Sequence, residues 1–202
     1  MASSSRSSSA SSETSGTSSD QAGISAAKAD LRRQLLADRA RRPASQRTSV
    51  AAALAQVFSG RFGDRLSDRA TVASYLSIGG EPGTGALLEV CAQAGVRMIV
   101  PVLLPDRDLE WAVVDAPSVL LGVGAISTAE LVLVPALAVD RIGHRLGRGG
   151  GSYDRALARV TPAQTVLAVV HDDEVLDAVP FESHDRLVDG ALTPTEVLWF
   201  RD

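Results

Sequence analysis

The chain has 202 residues, 45% of them hydrophobic and 22% charged, with a formal net charge of -4 and a pI near 5.4. That balance fits a single globular domain with a sizeable core and excludes the basic surplus of a nucleic-acid-binding surface. One cysteine, Cys91, set among apolar neighbours, excludes a disulfide framework and a cysteine-rich zinc centre, and it suits a reducing cytoplasm.

In chain order, residues 1–24 are mostly serine, threonine, glycine and alanine. Too few apolar side chains stand there to offset the entropy of ordering, so the segment reads as a disordered tail and not as a signal peptide. A single domain is expected over 25–202. It opens with a helix over 25–42, with Leu31, Leu35 and Leu36 at helical spacing and Pro43 as its stop. A second helix follows over 45–62, where Val50, Leu54, Val57 and Phe58 share a face and Gly60 closes the end.

Short β-branched runs then appear at 71–77, 96–104, 109–114, 131–139 and 165–170, with helical segments at 84–94 and 153–160 between them. Strands apolar on both faces and alternating with helices predict an α/β fold: a mainly parallel central sheet flanked by helices in a Rossmann-like three-layer arrangement. No run is long and uncharged enough to span a bilayer. Ligands in such sheets gather beyond the carboxyl ends of the strands.

The stretch RLGRGGGSYDR at 145–155 has that setting, between an apolar strand and a helix. Gly147, Gly149, Gly150 and Gly151 let backbone N–H groups converge without an obstructing Cβ, and Ser152 reads as the helix N-cap. Arg145 and Arg148 supply forked donors for phosphate oxygens. A plain surface turn is the competing reading. The loop is neither a Walker loop nor a dinucleotide fingerprint, and GVGAIS at 122–127 reads as a turn.

These segments, with KADLRR at 28–33, YLSIGGEPGT at 75–84, VDRIGHRLGRGGGSYDR at 139–155 and VPFESHDRLVDGALTPT at 179–195, resemble the 5-formyltetrahydrofolate cyclo-ligase family from Lys28 to about Thr195. The resemblance implies an ATP- and Mg2+-dependent closure of 5-formyltetrahydrofolate to 5,10-methenyltetrahydrofolate. In it the formyl oxygen takes the terminal phosphoryl group, the neighbouring nitrogen attacks the activated carbon, and phosphate leaves. Such chemistry rests on positioning and on neutralising the phosphoryl group.

Lys28 is the only lysine beside 19 arginines, which suits a site needing a compact charge, although an exposed helix position is the simpler reading of the residue alone. The resemblance implies that Lys28 meets the ATP phosphates; Arg32, one helical turn further on the same face, reads as joining that anion site, and the loop Arg145, Leu146, Gly147, Arg148, Gly149, Gly150, Gly151, Ser152 and Tyr153 as holding the nucleotide, with Lys28, Arg145 and Arg148 expected in catalysis. The resemblance also implies a folate contact from Glu81; Tyr153 reads as stacking on adenine or on the pterin, or as packing the loop, and Asp154 and Asp140, by their positions and hard oxygens, are the Mg2+ candidates. Helix capping competes for Asp154 and core packing for Tyr75.

The chain departs from the family pattern at Ser152 and Val139, where aromatics are usual, and in lacking a Glu-Pro near 122–127. His171 and His184 lack metal-ligand spacing with each other. A monomer is expected, with no nucleic-acid or membrane partner. A non-catalytic nucleotide or folate binder on the same fold is the alternative from another class, and a sugar-phosphate isomerase of similar architecture is a third.

Overall fold

The computed structural model describes residues 15–200, with side chains from residue 20 onward. Helix α1 (Ser15–Arg41) begins inside the expected tail, so residues 15–24 are helical rather than disordered; residues 1–14 lie outside the described residues. Once residues further along have nucleated the helix, each added residue gains a hydrogen bond for little extra entropy. Pro43 ends α1 as expected and sits at the N-cap of α2 (Ala44–Phe62) in extended backbone. Gly60 lies within α2, which runs on to Gly63 as its C-cap.

An eight-stranded sheet forms the middle layer in the order β11-β10-β8-β5-β1-β2-β3-β4. Its centre is parallel: β1 (Thr71–Ala73) pairs with β2 (Arg97–Leu103) and β5 (Leu131–Pro135), β5 with β8 (Thr165–Val169), and β8 with β10 (Gly190–Leu192). Antiparallel strands β3 (Leu109–Val113) and β4 (Ala116–Leu120) finish one edge, and β11 (Val197–Trp199) the other.

Period-two alternation sorts the strands' side chains. Leu131, Leu133, Leu167 and Val169 face a core shared with Leu54 and Phe58 of α2 and with Leu87 and Cys91 of α3 (Gly85–Gln93). Val132, Val134, Val166 and Ala168 face the opposite core, with Trp111, Ile126 and Leu157 of α4 (Ser152–Leu157). Full burial of a side chain such as Leu54 or Phe58 stabilises by about 1.5–3 kcal/mol. Burial also pushes the Cys91 thiol up to about 11, so it stays protonated. The segment 122–127 largely coincides with a 3-10 turn over Val123–Thr128.

The expected single strand over 131–139 divides. Past Pro135, which has no N–H to continue a ladder, the chain leaves the main sheet as β6 (Ala138–Asp140). β6 pairs with β7 (Arg145–Leu146) and β9 (Val175–Leu176) in a second, three-stranded sheet. Helix α1 packs on that small sheet through Leu35 and Leu31, against Leu137, Ala138 and Leu146. Leu36, expected on the same face, is 39% exposed. Among the described residues no helix is long and apolar enough to cross a membrane.

Candidate active site

Between β1 and β5 the chain's direction of travel through the sheet reverses, since β1 leads to β2 on one side while β5 and β8 lie on the other. At the carboxyl ends of those strands opens a cavity of about 480 Å³. Its place agrees with the switch-point rule for parallel sheets. Lys28, Arg32, Glu81, Asp154 and the whole stretch Arg145–Tyr153 line it, so the structure gathers on one cavity every site residue expected from the sequence except Asp140.

Asp140 is the correction. It is 2% exposed and does not line the cavity; its Oδ1 accepts from the N–H groups of Ile142, Gly143 and His144, and its Oδ2 from Val179 N–H and the His144 ring. Burial would raise its carboxyl, but those N–H donors hold it below the ordinary value. A carboxylate so fully engaged ties the β6–β7 turn to the 179 segment and has no lone pair left for a metal.

The glycine loop leaves β7 and enters α4. Gly151, not Ser152, is the N-cap: it has φ of +70°, a conformation natural to glycine, and Ser152 is the first helical residue, without a side-chain cap bond. Arg32 steadies the loop from α1 by donating Nε to Gly147 O at 2.8 Å. Arg145 is 7% exposed and pairs with Asp154 Oδ1 at 2.6 Å. Arg148, its side chain 48% exposed, reaches back to Glu81 Oε1 at 3.4 Å.

Glu81 sits on the turn after β1. Its Oε2 accepts from Ile78 N–H at 2.9 Å, and the turn is laced by the Thr84 hydroxyl donating to Tyr75 O at 2.6 Å. Tyr75 is buried and donates its hydroxyl to Pro82 O at 3.3 Å, so it supports the loop as well as lining the cavity. The Tyr153 hydroxyl is buried without a protein partner among the described residues, and burial, aided by the Glu81 charge, raises its pKa well above the ordinary value. The residue lines the cavity, but the hydroxyl itself is buried behind the wall.

Lys28 is buried rather than exposed, with Nζ at 2.7 Å from Glu182 Oε2 and 2.6 Å from Asp185 Oδ2. The hydrogen bond from Lys28 holds the Glu182 carboxyl below its ordinary value. For Asp185, burial pushes up, yet Lys28 and the Glu182 N–H prevail and lower it. Glu182, His184 and Asp185 bring one ligand atom each within 4.8 Å of one another. Asp154 Oδ1 adjoins that turn by accepting Arg186 N–H at 3.3 Å. Of these acids the sequence reading gave only Asp154 to the metal, while Asp185, with His184, stood out as a His-Asp pair that matches the family pattern.

Two further features escaped it. Arg39 lines the cavity on the same α1 face as Lys28 and Arg32, a spacing of whole helical turns. An apolar lip of Leu76, Ile78 and Leu103, each more than half exposed, borders the opening.

Residues 24–194 match the model of the 5-formyltetrahydrofolate cyclo-ligase family. A protein of Mycolicibacterium smegmatis described as 5-formyltetrahydrofolate cyclo-ligase is 39% identical over 185 residues, covering 83% of this chain and 93% of that one. The Escherichia coli protein of the same description is 30% identical over 144 residues, covering 63% of this chain and 79% of its own. Among solved structures, a 5,10-methenyltetrahydrofolate synthetase from Mycoplasma pneumoniae superposes with a TM-score of 0.70 at 19% identity, covering 82% of this chain and 97% of that one. The Aquifex aeolicus 5,10-methenyltetrahydrofolate synthetase gives 0.69 at 24% identity, covering 87% and 93%. At those identities the superpositions speak for the fold.

Proposed function

The chain belongs to the 5-formyltetrahydrofolate cyclo-ligase family and is an enzyme of that family, and from that premise we propose that its cavity binds ATP and 5-formyltetrahydrofolate together and closes the folate to 5,10-methenyltetrahydrofolate. The observation that carries this reading is the meeting, on one cavity, of the cationic glycine loop 145–153 with a buried carboxylate, Glu81, on the facing turn.

The loop's backbone N–H groups, with Lys28, Arg145 and Arg148, cradle the triphosphate. Arg145 is held in place by Asp154, which keeps its fork pre-oriented. Glu81 faces the folate and accepts from its ring N–H groups, and the Tyr153 side chain contributes to the wall beside it. The apolar lip of Leu76, Ile78 and Leu103 covers the aromatic part of the substrate.

The formyl oxygen, a weak nucleophile, attacks the terminal phosphorus as the phosphoanhydride bond breaks and ADP departs. The neighbouring nitrogen then attacks the activated carbon and loses its proton, and phosphate leaves with the former formyl oxygen. Lys28 and the two arginines lower the barrier by neutralising charge on the phosphoryl oxygens, an effect strengthened in a site shielded from water.

Mg2+ would be held by the hard carboxylate oxygens of Glu182 and Asp185, which lie with His184 within 4.8 Å of one another, with Asp154 beside that turn. When bound it supplies further charge neutralisation to the phosphate oxygens. The reading places the enzyme in the cytoplasm as a monomer.

The test is to mix the protein with 5-formyltetrahydrofolate and MgATP and follow the absorbance of the methenyl product. Its appearance, dependent on ATP, supports the reading. Tight ATP binding without product would instead indicate a binding protein, and product without ATP would refute the proposed activation.

A further inference from the structure

The turn that presents Glu81 is held from behind by groups to which the proposed chemistry gives no task. The carbonyl of Gly80 and the N–H of Glu81 belong to one peptide unit. His171 Nε2 lies 3.2 Å from that carbonyl oxygen, and the N–H donates to Ile78 O at 3.2 Å. The peptide is therefore clamped along both of its dipole directions. Its third side is closed by α1, because a Cβ added at Gly80 would lie 2.8 Å from Arg39 Cβ.

His171 is itself fixed. It follows β8, is 2% exposed, and donates its backbone N–H to Glu174 Oε2 at 2.8 Å. Glu174, 1% exposed, takes a two-pronged clamp from Arg39, with both N–O distances 2.7 Å. Arg39 also donates to Ala136 O, which joins the network to the end of β5. A carbonyl oxygen only accepts, so the His171 proton must reside on Nε2. The buried Nδ1, without a partner among the described residues, is then the unprotonated nitrogen.

We propose that His171 is a positioning residue for substrate binding: through its Nε2–H bond to Gly80 O, backed by the Arg39–Glu174 pair, it sets the angle at which Glu81 meets the folate. The inference rests on the reading of Glu81 as a substrate contact. A residue that only supported the fold would serve both substrates alike, whereas this bond bears first on the turn of Glu81 and reaches the phosphate loop only through the half-exposed Arg148.

The experiment is steady-state kinetics on the full chain, varying 5-formyltetrahydrofolate and ATP separately, for wild type, His171→Phe, His171→Gln, Glu81→Gln and the combination of His171→Phe with Glu81→Gln. His171→Phe is expected to raise KM for the folate about five- to tenfold, the loss expected of one positioning hydrogen bond, with KM for ATP unchanged. His171→Gln, whose amide reaches the same point, restores the folate KM, and the double variant is no worse than Glu81→Gln alone. Should His171→Phe fail to fold, His171→Asn, whose amide stops short of Gly80, carries the same expectations.

An unchanged folate KM, an equal rise in both KM values, or a His171→Gln variant as impaired as His171→Phe overturns the inference. Wild type without turnover, or Glu81→Gln with an unaltered folate KM, overturns instead the reading of the site beneath it.

Discussion

Arg148 Nε stands 3.4 Å from Glu81 Oε1, so the exposed arginine of the glycine loop and the buried carboxylate of the facing turn already touch across the cavity. Two segments 67 positions apart (148 minus 81) thereby form the walls of one site. Because the arginine is half exposed, little packing rests on it, and under the proposed function its charge serves the phosphates. Arg148→Ala should lower kcat/KM by about 10–100-fold while leaving thermal unfolding within about 1 °C of wild type. Turnover assays and a melting curve on the same preparation check both parts.

Lys28 carries a double duty, since it faces the cavity and also neutralises Glu182 and Asp185. Lys28→Met should abolish measurable turnover and also destabilise the fold, by about 1–3 kcal/mol, because two carboxylates lose their shared counter-charge. Urea unfolding measures the second effect. Lys28→Arg should recover stability better than activity, the larger planar group fitting poorly where a compact ammonium stood.

The Arg39–Glu174 pair is buried on both sides, with side chains 3% and 2% exposed. Arg39→Met leaves Glu174 with the His171 N–H and, as a charged partner, the more distant Arg42, whose Nη2 lies 3.7 Å from its Oε1. The expected loss is about 3 kcal/mol by urea unfolding. Replacing both partners together, as Arg39→Met with Glu174→Leu, should be less damaging than the single change, since no unpaired charge then remains inside.

Stability should fall in acid in two stages. Burial holds the His171 imidazole below its ordinary value of 6.5, so the unfolded chain takes up that proton first and stability declines as pH drops through about 6.5. Lys28 holds Glu182 below 4.5, and Lys28 with the Glu182 N–H outweighs burial to hold Asp185 below 3.8. Their contribution is complete above about pH 5 and is lost as pH falls through the lower range. Unfolding free energies across pH check this: His171→Gln should flatten the first stage and Lys28→Met the second.

The parallel centre of the sheet was readable because runs such as 131–135 and 165–169 are apolar on both faces, a pattern that few other environments produce. The short edge strands were not, for Gly190–Leu192 and Val197–Trp199 carry too few residues to display a period. Pro135 marked the point where one apolar run splits between two sheets, but sequence alone gave no sign that the chain would continue into new pairing. The glycine loop stood out through its own glycines and arginines between a strand and a helix, whereas Glu81 came to notice only through the family resemblance. Lys28 meeting Glu182 and Asp185, or His171 meeting Gly80, depends on segments far apart in sequence, and nothing local announces such contacts. Asp140 misled because an acid beside a phosphate loop has the right chemistry for Mg2+, whereas its oxygens are spent on the backbone of its own turn and of residue 179.

The central claim is that the formyl oxygen of the folate is phosphorylated within this cavity. Carrying out the reaction with heavy oxygen in the formyl group and analysing the released inorganic phosphate by mass spectrometry follows that atom directly. The account predicts the label in phosphate, one atom per methenyl product formed; label released into water, with unlabelled phosphate, would contradict it.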